Sequence, residues 1–168
     1  MSGPAISMTR WVHDADSLLG TMPDSIQQII RQTIQNGTFD SPEYQGAVMS
    51  YYAQFVARKQ PWSADIESTL TQMNPEIYAY MNGPSEFTVT GTLKDYDGTD
   101  KLKTIKQKTL FTCGEFDEAT PTSTKFYQSM VPGSELSVIP NAGHLTMQDN
   151  PDGYNQVLRD FLKRADSQ

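Results

Sequence analysis

The sequence has few of the features that would place a protein in an oxidising compartment or in a membrane. Cys113 is the only cysteine among 168 residues, so no disulfide can form within the chain. No apolar run approaches the roughly 20 residues that a membrane-spanning helix needs. The first residues, MSGPAISMTRWV, lack the basic and apolar regions of a secretory signal. We therefore expect a cytoplasmic protein with no membrane partner.

Positive charge is also scarce. Twenty Asp and Glu residues against 13 Lys and Arg residues give a formal net charge of −7. The one lysine cluster lies beside aspartates and is typical of a solvated turn: Lys101, Lys103, Lys106 and Lys108, next to Asp95, Asp97 and Asp100. No basic stripe is available to neutralise phosphates, so a nucleic-acid partner is not expected. His13 has no second His or Cys at ligand spacing, so no metal site is predicted.

The most informative stretch runs from Lys108 to Met147 and follows a strand–helix–strand pattern. The segment TLFTC at 109–113 is short and β-branched or apolar, as strands are. Pro121 starts a helical run, and ELSVI at 135–139 forms a second strand that stops at Pro140. A unit of this length places its two strands parallel in one sheet, through a right-handed crossover.

An ionisable residue follows each of these strands, Asp117 after the first and His144 after the second. Because parallel strands end at the same edge, both side chains are expected at one rim, where open α/β sheets hold their sites. Such a pair can supply the acid that orients an imidazole and the imidazole that takes a proton from a nucleophile. From the residues alone, Asp117 could equally be a turn residue and His144 a structural histidine.

A nucleophile for this pair is not found in the sequence. In α/β-hydrolases the nucleophile precedes the acid and the histidine and lies in a G-x-S-x-G pattern. That pattern is absent, because Ser2 precedes a glycine, Ser85 lies in GPSEF and Ser134 follows Gly133. The chain thus carries two of the three groups of a triad, and we expect it to be inactive by itself.

Residues 9–82 are predicted to form five helices. Their starts are marked by Pro23, Ser41-Pro42 and Asn74-Pro75. Five helices inserted before the next strand indicate a lid rather than a regular crossover. Aromatic side chains crowd into this span: Tyr44, Tyr51, Tyr52, Phe55, Trp62, Tyr78 and Tyr80. They indicate core packing, the wall of an apolar pocket, or both, and the sequence does not distinguish these interpretations.

Several long strings give the chain a specific resemblance. They are NGPSEFTVTGT at 82–92, KDYD at 94–97, CGEFDEATP at 113–121 and the GH turn at 143–144. Shorter upstream matches are SGP at 2–4, SPEY at 41–44 and PW at 61–62. In these strings the chain resembles the C-terminal part of a proline iminopeptidase, a serine aminopeptidase of the α/β-hydrolase fold that removes N-terminal proline from peptides. The sequence departs from that family in lacking the first strands, the oxyanion loop and the nucleophile.

The resemblance implies an α/β fold: the C-terminal part of an α/β-hydrolase, with parallel strands and flanking helices, plus an all-helical cap. Residues 1–8 would be a remnant of a core strand and loop, residues 9–85 the cap, and residues 86–168 the C-terminal part of the core. The resemblance also implies a peptide substrate with a free N-terminal proline, and neither a metal nor an organic cofactor.

By the same resemblance, Asp117 and His144 are the catalytic acid and base, and Glu86 and Glu118 bind the amino group of the substrate. A free amino terminus is a cation, so carboxylates in a desolvated site suit an aminopeptidase. By spacing alone, either glutamate could be an exposed loop acid. Two neighbouring acids gain no such support and are assigned no role: Glu115 and Asp149.

Two predicted strands are few for a parallel sheet. Parallel strands need neighbours and cover on both faces, and two-stranded sheets are marginal in water. A neighbour for the strand at 109–113 would have to come from elsewhere, and residues 1–6 are a candidate remnant of it. We therefore predict a fragment, or one piece of a two-piece protein whose partner is a separate N-terminal half carrying the nucleophile.

A final helix is predicted to start at Asn150-Pro151. Arg159, Lys163 and Arg164 suit its negative carboxyl end. Its apolar stripe is predicted to be buried across the sheet: Tyr154, Val157, Leu158, Phe161 and Leu162.

Two other functions remain open from the sequence. Another α/β-hydrolase, such as an amidase or an esterase, could use the same cap, and a preference for prolyl amides would argue against it. A non-catalytic peptide-binding fragment derived from such a hydrolase would bind peptides without turning them over.

Overall fold

The computed structural model describes residues 1–167, and the first half of the chain is helical. Five helices follow one another as predicted: α1 (Met8–Leu19), α2 (Asp24–Asn36), α3 (Pro42–Phe55), α4 (Ala64–Gln72) and α5 (Pro75–Met81). The side chains of Ser41, Ser63 and Asn74 accept hydrogen bonds from the first free N–H groups of α3, α4 and α5. No helix within residues 1–167 is long and apolar enough to cross a membrane.

The second half contains the sheet. Its elements are α6 (Thr99–Leu102), β1 (Leu110–Gly114), α7 (Pro121–Ser129), β2 (Glu135–Ile139), α8 (Thr146–Asp149) and α9 (Pro151–Asp166). β1 and β2 pair in parallel with Leu110 opposite Glu135, which confirms the predicted strand–helix–strand unit. Because both strands end at one edge, two loops emerge side by side: residues 115–120, the acid loop, and residues 140–145, the histidine loop.

The first residues of the chain lie along the other edge of β1. The Gly3 N–H donates to the Thr112 carbonyl at 2.8 Å, and the Thr112 N–H donates to the Met1 carbonyl at 2.8 Å. Ser2 and Thr112 form a parallel bridge. β1 is therefore flanked on both sides, in keeping with the burial of all five of its residues.

Each half of the chain has an apolar core of its own. In the cap, Ile30 of α2 and Tyr51 of α3 are fully buried in one cluster with Leu19. In the second half, Phe111 of β1 is fully buried against Tyr127 of α7. Full burial of one such side chain contributes about 1.5–3 kcal/mol, so each half is stabilised by a core of its own.

The final helix is less buried than predicted. No residue of α9 between Pro151 and Asp166 is buried, and Leu158 and Leu162 are 37% and 48% exposed. With Met1 and Leu110 they line an open groove of about 360 Å³. The predicted burial of the whole stripe is wrong because α9 packs against β2 with only part of its apolar face. Three members of the stripe are half-buried: Tyr154, Val157 and Phe161.

Candidate active site

The side chains of Asp117 and His144 meet at the edge where β1 and β2 end. His144 Nδ1 lies 2.8 Å from Asp117 Oδ1. Asp117 is 1% exposed, and its carboxylate accepts hydrogen bonds from the Gly114 N–H at 3.1 Å and the Ala119 N–H at 2.8 Å. These contacts fix the carboxylate, so that it can orient the imidazole.

Two glycines allow the backbone to come close to this pair. A Cβ on Gly114 would collide with the carbonyl oxygens of Ala142 and Gly143, so the end of β1 and the histidine loop pack backbone to backbone. Gly3 has a φ of +49°, and a Cβ there would lie 2.6 Å from His144 Cε1. A side chain at either glycine would push the histidine loop or the imidazole out of place.

The surroundings of His144 favour its charged form. Its side chain is 29% exposed, and Trp11 of α1 meets the ring edge-on with the ring centroids 6.1 Å apart. Burial by itself would lower the pKa of His144. The hydrogen bond and the charge of Asp117, assisted by the charges of Glu118 and Glu86, outweigh burial and raise this pKa to about 9. The site therefore stabilises an imidazolium, the form that a general base takes after accepting a proton.

Glu118 directly follows the acid and is also buried. It is 6% exposed, and its Oε2 atom has no hydrogen-bond partner within residues 1–167. Burial and the charge of Glu86 raise the pKa of Glu118, and the charge of Asp117 acts in the same direction. Most buried polar atoms in proteins are hydrogen-bonded. An unpaired carboxylate oxygen here indicates a position where a donor from a ligand would bind.

Glu86 lies in the segment after α5 and is held by the cap. Tyr78 Oη donates to Glu86 Oε1 at 2.6 Å, and Asn82 Nδ2 donates to Tyr78 Oη at 3.1 Å. Burial, followed by the charge of Glu86 and the hydrogen bond to it, raises the pKa of Tyr78. The hydroxyl therefore stays protonated, and it orients the half-buried Glu86 side chain.

The four predicted site residues come together in one region. The charges of both glutamates act on His144, and Glu86 acts on Glu118. Tyr51 and Tyr52 of α3 are part of the same region, because their pKa values are raised by burial and then by the two glutamates. The cap thus forms one wall of the site, and the loops after the strands form the other. Among residues 1–167, no group of three or more His, Cys, Asp or Glu side chains is arranged to hold a metal ion.

Three residues that shape this region were not predicted from the sequence as site residues. They are Gly3, which contacts the imidazole, Trp11, which meets it edge-on, and Tyr78, which holds Glu86. Gly3 carries a signal in retrospect, since it lies in the SGP string at 2–4. Trp11 and Tyr78 do not, because an aromatic residue on an amphipathic helix has the same pattern whether it packs in a core or contacts a site.

Comparison with solved structures defines the class of protein. The crystal structure of MGS-M2, an α/β-hydrolase enzyme from a deep-sea metagenome library, matches with a TM-score of 0.52 and 16% identity over 96% of this chain and 54% of that one, which shows the fold alone. The crystal structure of VinJ matches with a TM-score of 0.92 and 31% identity over 98% of this chain and 56% of that one. The chain has the fold of the C-terminal part of an α/β-hydrolase with a helical cap.

Within that class, the chain is homologous to proline iminopeptidases, as its sequence strings indicate. The proline iminopeptidase of Heyndrickxia coagulans is 40% identical over 164 residues, which are 96% of this chain and 56% of that protein. The crystal structure of the proline iminopeptidase of Mycobacterium smegmatis matches with a TM-score of 0.87 and 31% identity, over 96% of this chain and 55% of that one. The chain spans about half the length of the curated relatives it matches. No family profile matches the sequence.

Proposed function

We propose that this chain contributes the cap, the acid and the base of a serine aminopeptidase that releases N-terminal proline from peptides. The observation that carries the proposal is the 2.8 Å contact between Asp117 and His144, at a rim that also holds two glutamates. The similarity to proline iminopeptidases supports the choice of substrate.

In this proposal His144 is the general base in its neutral form, which the chain alone populates as the pH rises towards the raised pKa of about 9. Its Nδ1–H donates to Asp117, which leaves Nε2 to take the proton from a serine hydroxyl as that oxygen attacks the prolyl carbonyl. The imidazolium then gives this proton to the leaving amine as the peptide C–N bond breaks. A water molecule, deprotonated by His144 in turn, hydrolyses the prolyl ester and restores the serine.

Glu86 and Glu118 would bind the amino terminus of the substrate. The protonated nitrogen of an N-terminal proline is a cation with two N–H donors, and Glu118 Oε2 is an acceptor with no other partner among residues 1–167. The cation would also relieve the repulsion from Glu86 that helps to raise the pKa of Glu118. Hydrogen bonds to charged groups contribute about 1.5–3 kcal/mol each. Free amino termini would therefore be selected over internal peptide bonds.

The nucleophile and the oxyanion loop would come from an N-terminal region that this sequence does not contain, either on the same polypeptide or as a separate N-terminal half. The sequence contains no G-x-S-x-G pattern, and the chain aligns with only 56% of the Heyndrickxia coagulans relative. A polypeptide corresponding to the remainder of that relative would complete the triad. By itself the chain is expected to bind prolyl peptides without turning them over.

Complementation tests this function directly. The purified 168-residue chain is mixed with the portion of the Heyndrickxia coagulans relative that lies outside the aligned 164 residues. Hydrolysis of a chromogenic prolyl amide is then measured, with an alanyl amide and a prolyl ester as comparison substrates. We expect turnover only in the mixture, with the prolyl amide preferred, and loss of turnover with His144→Ala. Asp152→Ala, which removes an exposed carboxylate of α9, is the matched control.

Each alternative gives a different result. Turnover by the chain alone that His144→Ala abolishes would mean that a serine of this chain is the nucleophile. A mixture that prefers the ester or the alanyl amide would indicate another α/β-hydrolase activity. Saturable binding of a prolyl peptide, with no turnover in any mixture that assembles, would indicate a peptide-binding protein.

A further inference from the structure

The carboxylate of Asp149 lies at the C-terminal end of α8 and accepts hydrogen bonds from three backbone N–H groups. Two of these donors follow α3 in the cap: Arg58, at 2.9 Å from Oδ1 and 3.1 Å from Oδ2, and Lys59, at 2.8 Å from Oδ1. The third donor is Gly143 of the histidine loop, at 2.8 Å from Oδ2. One side chain thus joins the cap to the residue that precedes His144.

The backbone of the two segments is in direct contact at the same place. The His144 N–H donates to the Phe55 carbonyl and the Leu145 N–H donates to the Val56 carbonyl, both at 2.8 Å. A Cβ on Gly143 would lie 2.8 Å from the Phe55 oxygen. The carbonyls of Phe55 and Val56, at the C-terminal end of α3 and directly after it, therefore accept from the histidine loop. The N–H groups just beyond them need an acceptor elsewhere. Asp149 supplies that acceptor.

The acid loop also contacts the segment that follows α3 and the histidine loop. The Arg58 guanidinium lies over the Phe116 ring, 3.8 Å from its centroid. The Phe116 N–H donates to the Ala142 carbonyl at 2.9 Å. The segment after α3 thus touches the loop of Asp117 and the loop of His144, and Asp149 is the side chain that holds this segment through its backbone.

We propose that Asp149 is a positioning residue for His144. Its carboxylate holds the Gly143–His144 turn against the end of α3, and this fixes the distance and angle between the imidazole and Asp117. The simpler alternative is that Asp149 only fastens the cap to the rest of the chain. Gln148 makes the comparison possible, because its Oε1 accepts a hydrogen bond from Ser63 Oγ, the N-cap of α4. This side-chain hydrogen bond fastens the cap and does not involve the Gly143–His144 turn.

The test uses the full 168-residue chain and needs no nucleophile. Its outcome is therefore independent of the proposed function, although the role of His144 as a base rests on that function. In a His13→Gln background, His144 is the only histidine. Its titration and the proton of its Nδ1–H bond to Asp117 are followed by NMR in Asp149→Ala, Asp149→Asn and Gln148→Ala. Circular dichroism and thermal melting show whether each variant is folded.

We expect Asp149→Ala to lose the Nδ1–H signal and to lower the pKa of His144 from about 9 towards its ordinary 6.5. Asp149→Asn keeps one acceptor oxygen and should give an intermediate shift, which decides the matter if the alanine variant does not fold. Gln148→Ala should leave both readouts unchanged. A folded Asp149 variant with an unchanged His144 titration and Nδ1–H signal would overturn the proposal, as would an equal shift in Gln148→Ala.

Discussion

Asp117 and Glu118 are neighbours in the sequence, and both carboxylates are buried, yet they belong to two different environments. Asp117 accepts two backbone N–H bonds and contacts His144, whereas Glu118 Oε2 has no partner among residues 1–167. Asp117 is therefore held in its working position by the fold itself. Glu118 is held next to Glu86 at a cost in free energy, because burial and the like charge of Glu86 disfavour its ionised form more than the charge of His144 favours it. A satisfied group can orient a neighbour, whereas an unsatisfied group can bind a ligand.

The comparison predicts the largest effect for Asp117→Asn. Asp117 Oδ1 faces both the imidazole and the Ala119 N–H, and Oδ2 faces the Gly114 N–H. The NH₂ group of an asparagine would therefore face either the Gly114 N–H, which is itself a donor, or the imidazole. The second arrangement selects the tautomer that carries its proton on Nε2 and cannot act as a base. We expect the complemented enzyme to lose about 10⁴-fold in kcat.

The chain alone provides a second readout for this variant. Since Asp117 raises the pKa of His144, Asp117→Asn should lower that pKa in an NMR titration. Asp152→Asn, on the exposed surface of α9, is the control and should change neither quantity. If Asp117→Asn kept full activity in the mixture, the acid–base pair would not be the catalytic centre.

Some contacts of these carboxylates can be predicted from the sequence, and others cannot. Helix starts at Ser41 and Asn74 were predictable because capping is local, and the meeting of Asp117 with His144 follows from parallel strands that share an edge. The contacts of Asp149 were not predictable, because Lys59 is 90 positions away and donates only through its backbone. No pattern of side chains along the chain records such a bond.

The next effect in size is a loss of stability above neutral pH. Folding raises the pKa of His144 from its ordinary 6.5 to about 9, so the folded chain binds this proton more tightly than the unfolded chain. The stabilisation is fully present below the ordinary pKa and is lost as the pH rises through the folded value. The contribution of His144 to the free energy of unfolding, measured with urea, should fall by about 3 kcal/mol between about pH 6 and about pH 9.5.

Two variants separate the contributions of His144 and Glu118 to this fall in the free energy of unfolding. His144→Gln should make the profile less steep in that range, because the titrating imidazole is gone and only the contribution of Glu118, whose folded pKa is also raised, remains. Glu118→Gln should raise stability at neutral and higher pH, because the folded pKa of Glu118 is raised and its charged form is disfavoured by burial. Equal slopes in the wild-type chain and in His144→Gln would show that the pair does not carry the pH dependence.

The smallest expected effect is that of Tyr78→Phe, which acts on the glutamate side alone. The variant removes the 2.6 Å hydrogen bond that orients Glu86 and leaves the contact between Asp117 and His144 in place. Because Tyr78 orients Glu86 and does not itself bind the ligand, we expect binding to lose about 1 kcal/mol, which is less than the full value of a hydrogen bond to a charged group. Calorimetry of the chain with a prolyl peptide should therefore show a Kd about fivefold higher. Tyr80→Phe, at a side chain that is 71% exposed, is the matched control. If Tyr78→Phe instead lowered kcat in the complemented enzyme and left the Kd unchanged, Tyr78 would act on the acid–base pair, and the two environments would not be separable.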